Sequence, residues 1–341
     1  MNGQILIIGP RYFNFLDAVE NAFIDLGWET AVESYDNPIH PYTTSMKLRY
    51  RFSMHKDRMQ DRSRMEYNRY IMSKYERLQP DAVFIMNGDI LFDRTLDYFR
   101  IHSKVALWMF DSRTKLPSST GLIDHTDAMF CFEKDDVDWF ATQGKKAYFL
   151  PQACDAGTYR PLGLVRDIDI LFIGNLFYSP RRQQTMNAVI ERFKDRKILV
   201  CGMYRPWFKN FFKWLFMRHR NIFTNRNVSP EEANRLYNRA KVVLNIHQEH
   251  QKNGANPRTF EICGSGAYQL CDANPYIESL FDSSEIGIWH DSGELFSLIE
   301  EGLDKDMGAA AETARRKVMT NHTFEIRMRE VLTVLFQNGI E

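Results

Sequence analysis

The feature that most constrains the fold is a series of short, almost uninterrupted apolar runs, each closed by turn-forming residues. They lie at 4–8 before Gly9-Pro10, at 82–86, at 105–109, at 128–132 and at 147–150 before Pro151. A strand with one solvated face alternates apolar and polar residues, whereas a run that is apolar throughout is buried on both faces, as in a parallel sheet covered by helices. Residues 13–26 carry helical periodicity, so strands alternate with helices, the pattern of a doubly wound sheet. A second series follows at 169–174, 197–201, 242–246 and 267–271. Between the two, 150–155 and 161–163 are rich in turn formers and form the expected linker.

The expected fold class is therefore α/β, with two Rossmann-like doubly wound domains facing a cleft. The N-terminal domain is placed at 1–152 and the C-terminal domain at 153–320, with a helix at 321–341 packing back on the N-terminal domain. A length of 341 residues suits two cores of this size. Helical periodicity continues from 292 onward, alanine-rich over 307–318 and amphipathic over 324–336.

Lys+Arg and Asp+Glu are equal at 44 each, so the molecule as a whole has no field that gathers a polyanion, and nucleic acid is not an expected partner. The cysteines (Cys131, Cys154, Cys201, Cys263 and Cys271) are scattered, without a Cys-x-x-Cys pair, which points to reduced packing residues rather than a zinc site. The N-terminal apolar run is too short for a secretion signal and no run reaches a membrane span, so a cytoplasmic location is expected. Residues 204–220 interleave aromatics with Lys209, Lys213, Arg218 and Arg220, a composition that suits either a helix packed on the sheet or peripheral contact with an anionic membrane face. Residues 47–69 form a long Arg- and Met-rich helical stretch, read as a solvated face or as part of an acceptor site.

The segment Asn-Pro-Arg-Thr-Phe-Glu-Ile-Cys-Gly-Ser-Gly at 256–266 carries most of the functional argument. Asn256 is a good N-cap, Pro257 suits the first helical position, and Gly266 can stop the helix before the next strand. A helix start at the carboxyl edge of a parallel sheet presents backbone N–H groups and a positive dipole end to an anion such as a diphosphate. Glu261, one turn inside, is a carboxylate able to accept both hydrogen bonds of a ribose diol.

Residues 260–266 resemble the Leu-Glu-Ala-x-Ala-x-Gly stretch of the GT-B glycosyltransferases of the group-one type, and more closely their CgeB-like (spore-maturation-protein) branch. The pairing of Val-Leu-Asn-Ile-His at 243–247 with Asn256, Arg258, Thr259 and Glu261 is similar to that branch, as is Asp272 at the end of the following strand. Residues 149–155 with Tyr159-Arg160-Pro161 resemble its hinge, and Trp108-Met-Phe-Asp111 its N-domain Trp-x-x-Asp element. The resemblance implies that Glu261 binds the ribose and Gly266 stops the helix. It also implies that the loop at 225–229, through Asn227 and Val228, holds the base. One departure stands out: retaining members carry a Glu-x7-Glu pair, and Asn253 stands eight residues before Glu261, with Glu249 near it in sequence but out of alignment.

These readings lead to the expectation of a metal-independent, retaining glycosyltransferase with no cofactor. It would move a sugar from a nucleotide-diphosphate donor to a hydroxyl of a glycan, lipid-linked or protein acceptor. The alternatives are a catalytically silent nucleotide-sugar binding protein and a GT-B-like epimerase or phosphorylase. The diphosphate charge is expected to fall to the helix start with Arg258 or Arg181 rather than to a metal. The donor set is Gly174, Arg181, Asn227, Val228, Asn256, Arg258, Thr259 and Glu261. Asp111, just past a strand, is a candidate to position or deprotonate the acceptor hydroxyl, and Gly9 a candidate acceptor-side turn. His247, at the carboxyl edge of a strand, is a second catalytic candidate whose alternative is a satisfied structural histidine.

Overall fold

The computed structural model describes residues 3–11, 14–34, 56–176, 179–203, 222–224 and 226–337. The chain divides into two compact units, Met1–Leu150 with Glu325–Glu341, and Pro151–Phe324. The whole basic-aromatic stretch at 204–220, residues 47–55 and Asn225 lie outside the described residues. Among those described, no helix is long and apolar enough to cross a membrane.

The first unit is built on six strands, β1 (Gln4–Gly9), β2 (Glu29–Ser34), β3 (Ala82–Met86), β4 (Lys104–Met109), β5 (Ala128–Cys131) and β6 (Tyr148–Phe149), in the order β2-β1-β3-β4-β5-β6. Every pairing is parallel. Helices α1 (Phe15–Asp25), α2 (Lys56–Leu78), α3 (Asp93–Arg100) and α4 (Lys134–Thr142) supply the crossovers. The apolar runs are buried as the pattern requires: Leu6, Ile8, Val83, Ile85, Val105 and Leu107 have no exposed surface. Each such side chain contributes about 1.5–3 kcal/mol by leaving water. Strand β2 escaped the apolar-run criterion because it is an edge strand with one neighbour, and its sequence Glu-Thr-Ala-Val-Glu-Ser is only partly covered.

The second unit has β7 (Ile168–Ile173), β8 (Ile198–Cys201), β9 (Ala240–Asn245), β10 (Gln269–Asp272) and β11 (Gly287–Trp289) in the order β11-β10-β9-β7-β8, again parallel. Its helices are α5 (Pro180–Arg192), α6 (Pro230–Arg239), α7 (Pro257–Gly264), α8 (Pro275–Leu280), α9 (Ser292–Asp304) and α10 (Gly308–Asn321). The last helix, α11 (Phe324–Gln337), belongs almost wholly to the first unit, where Phe336 lies 5.5 Å from Trp28 between ring centroids.

Both sheets start in the middle, add a strand on one side and then cross to the other. The strand order therefore reverses between β1 and β3 in the first unit, and between β7 and β9 in the second. Helices leave the sheet in opposite directions at such a switch point, which opens a crevice outside the carboxyl ends of the two strands. Gly9 stands there in the first unit, and Gly174 and His247 in the second.

Candidate functional site

The carboxyl ends of β7, β9 and β10 gather the site of the second unit. Gly174 follows β7, and its N–H donates to Cys201 O at 2.7 Å. A side chain on Gly174 would press on the Phe172 ring, and one on Gly202 (φ +131°) would fall 2.2 Å from Gly174 O. The two glycines thus allow the chain ends of β7 and β8 to touch. Gly9 has a related role in the first unit, where a Cβ would lie 3.0 Å from Met86 Cβ and 3.2 Å from Leu16 Cδ1.

Beyond β9, His247 is 1% exposed and both ring nitrogens are engaged. Its Nδ1–H donates to Asp272 Oδ1 at 2.7 Å, its backbone N–H to the same oxygen at 2.9 Å, and its Nε2 accepts from the Asn256 N–H at 3.3 Å. These bonds tie the end of β10 to the start of α7 through His247.

The other oxygen of Asp272 meets Arg181 Nη2 at 3.1 Å. Burial by itself would raise the Asp272 carboxyl, but His247 and Arg181 outweigh it and hold the group below the ordinary aspartate range. His247 Nδ1, Cys271 Sγ and an Asp272 oxygen lie within 4.8 Å of one another, the spacing of a candidate metal-ligand set. Within this cluster the Nδ1 proton is given to Asp272, and burial pushes the Cys271 thiol up.

Helix α7 begins as its sequence dictates. Asn256 Oδ1 accepts from Thr259 N at 3.2 Å, Pro257 occupies the first turn, and Gly266 (φ +71°) takes the left-handed position after the helix. Asn256 Nδ2 donates to Asn245 Oδ1 at 2.8 Å, and Asn245 Nδ2 donates to Thr259 Oγ1 and Gln269 Oε1 at 3.0 Å each. Asn256 and Thr259, expected to contact the donor, therefore turn their side chains inward and hold the helix start against β9 and β10. Asn245 and Gln269, which complete this buried network, escaped sequence reasoning because a polar residue within an apolar run gives no sign of its partner.

Arg258 and Glu261 are the charged side chains of α7. Arg258 makes no hydrogen bond or ion pair among the described residues, and the two do not pair with each other. Glu261 is 7% exposed. Burial raises its carboxyl to about 7, against the opposing influence of Arg258 and the hydroxyls of Tyr159 and Tyr237, while Asp155 adds to the rise.

At the start of α5, Ser179 Oγ caps Arg182 N at 3.2 Å, and Glu249 Oε1 accepts from Arg181 N at 2.9 Å and Ser179 Oγ at 3.0 Å. Glu249 thus anchors the loop after β9 to α5. The cap sets the helical phase, which leaves Arg181 43% exposed and Arg182 buried. Arg182 Nε donates to Ile246 O at 2.7 Å, and burial next to Arg258 lowers its guanidinium to about 9. Asn227 is exposed and Val228 half-buried, just before the Ser229 cap of α6. In the first unit Asp111 follows β4 and pairs with Lys115 Nζ at 2.9 Å.

Comparison with known proteins agrees with this architecture. Residues 181–333 match the family model described as glycosyl transferase-like. The spore protein CgeB of Bacillus subtilis is 25% identical over 223 residues, covering 60% of this chain and 68% of that protein. Among solved structures, sucrose-phosphate synthase from Thermosynechococcus elongatus superposes with a TM-score of 0.70 at 10% identity, over 99% of this chain and 100% of that one. A glycosyltransferase from Rickettsia africae gives 0.65 at 10% identity over all of both chains. Anabaena HepE, solved with UDP and glucose, gives 0.61 at 10% identity over 98% of this chain and 99% of that one. The chain is a glycosyltransferase of the GT-B fold, close to CgeB-like proteins, and 181–333 is its glycosyl transferase-like region.

Proposed function

We propose that the second unit binds a nucleotide-diphosphate sugar and that the sugar is transferred to a hydroxyl of a glycan, lipid-linked or protein acceptor held by the first unit. The observation that carries this reading is Arg258 and Glu261 on one helix at the switch point of the sheet. Arg258 is a cation without a partner among the described residues, and Glu261 is a nearly buried carboxylate three residues on. A diphosphate at the α7 N-terminus meets Arg258 and the helix dipole, with Arg181 at its edge. A ribose diol donates to Glu261, and the backbone at Asn227 and Val228 borders the base.

Transfer forms a bond between the acceptor oxygen and the anomeric carbon and breaks the bond from that carbon to the β-phosphate oxygen. The acceptor proton passes to the departing phosphate or to Asp111. Arg258, Arg181 and the α7 dipole offset the charge that grows on the leaving group, as a metal ion does in other transferases, so the reaction is assigned as metal-independent. Retention is assigned from the group-one resemblance, with Asn253 where those enzymes carry the first carboxylate.

A thermal-shift panel of UDP-, GDP-, dTDP- and CMP-sugars tests the reading. A ligand at about a hundred times its Kd stabilises the native state by about 2.7 kcal/mol. No shift with any donor refutes the site. Binding without turnover across an acceptor panel points instead to a silent nucleotide-sugar binding protein.

A further inference from the structure

The chemistry above uses the Glu261 carboxylate and leaves its buried neighbours unexplained. Two buried phenols act on it, Tyr237 of α6 at 1% exposure and Tyr159 of the segment between β6 and β7 at 5%, with ring centroids 6.2 Å apart. The Tyr237 hydroxyl is fully buried and completes no hydrogen bond of ordinary geometry among the described residues. It lies close enough to the Glu261 carboxylate for each group to influence the other's proton. Leaving a buried hydroxyl unpaired is costly, and a phenylalanine would fill the same volume without that cost.

We propose that Tyr237 and Tyr159 form a hydroxyl cradle on the buried side of Glu261 that orients its carboxylate toward the diol of a bound nucleoside. The two tyrosines are then positioning residues for donor binding, and the proposal rests on the reading of Glu261 as the diol acceptor. Burial, reinforced by the Glu261 charge, pushes both phenols up, so each remains an O–H donor at any pH the fold tolerates. The groups that face Glu261 are Arg258 of its own helix, Tyr237 of α6, and Tyr159, Asp155 and Cys154 of the segment that enters the second unit. Arg258 and the two hydroxyls favour the ionised carboxyl. Burial and Asp155 oppose them. An ionised carboxylate accepts both diol protons, whereas a protonated one spends an oxygen on its own hydrogen, so affinity falls as pH drops through the carboxyl midpoint.

The test is the pH dependence of UDP and GDP binding, by calorimetry, in wild type, Tyr237→Phe, Tyr159→Phe and Glu261→Gln. Wild-type affinity is expected to fall on acidification through about 7. Losing one hydroxyl donor moves that midpoint up by about one pH unit, and Glu261→Gln abolishes the acid limb. A carbon-13 titration of the Glu261 carboxyl without nucleotide, assigned by difference against Glu261→Gln, reads the same midpoint directly. If nucleotide binds and the midpoint stays put in both Phe variants, the cradle is wrong. If no nucleoside diphosphate binds wild type while the midpoint still moves, the donor reading falls and only the hydroxyl–carboxylate coupling stands.

Discussion

Replacing Glu261 with Gln is expected to stabilise the protein, and by an amount that depends on pH. In the folded chain burial holds this carboxyl at about 7, against an ordinary glutamate value of 4.5. Between those values the native state keeps a proton that the unfolded chain has released, so stability falls as pH rises. The stabilising contribution is complete below about pH 4 and gone above the folded midpoint. A displacement of roughly two and a half pH units amounts to about 3 kcal/mol at 1.36 kcal/mol per unit. Glutamine keeps the shape without the charge and escapes that loss. Thermal unfolding followed by differential scanning fluorimetry should give Glu261→Gln and wild type similar midpoints near pH 4. In a unit of this size the variant should gain roughly 6–10 °C at about pH 8. A gap that does not change with pH, or a variant less stable than wild type at alkaline pH, would refute the argument that desolvation dominates at Glu261. A chain that keeps so costly a carboxylate in its fold is consistent with one that needs it for binding.

Two further substitutions probe how the site is held. Asp272→Ala leaves two buried donors of His247 without an acceptor and Arg181 without its partner, and should cost about 3–5 kcal/mol in urea unfolding. Because the Asp272 carboxyl is held low, its contribution is present above about pH 4 and is lost as pH falls through the folded midpoint. Wild type and Asp272→Asn should therefore converge in acid, and a constant difference would contradict the assignment. Gly202→Ala places a Cβ against Gly174 O at φ +131° and should cost at least about 2 kcal/mol by the same assay; a neutral result would show that the ends of β7 and β8 do not need this contact.

Much of this was legible in the sequence because the signals are local. Apolar runs gave away the central strands of both sheets. The Asn256-Pro257 start and the Gly266 stop bounded α7 as the structure has it. Strand β2, only partly covered at a sheet edge, and the three-residue β11 carry too weak a pattern to be read. The site was half visible. Arg258 and Glu261 share one helix, and their spacing follows from its period. The His247–Asp272 contact spans 25 residues and exists because β9 and β10 are neighbours in the sheet. Which of Arg181 and Arg182 faces inward depends on the helical phase set by the Ser179 cap, and the phenols beside Glu261 come from two further segments. Such relations are tertiary, and residue order alone does not disclose them.

The central claim is that Arg258 and Glu261 hold the phosphates and ribose of a nucleotide-sugar donor. Calorimetric titration of the nucleoside diphosphate of the donor selected by the panel, into wild type, Arg258→Ala and Glu261→Ala at pH about 8, tests it most directly. Each lost charge-assisted contact should weaken binding by at least about tenfold, with the Arg258 variant losing part of its sensitivity to added salt as well. Wild-type affinity in both variants would contradict the account.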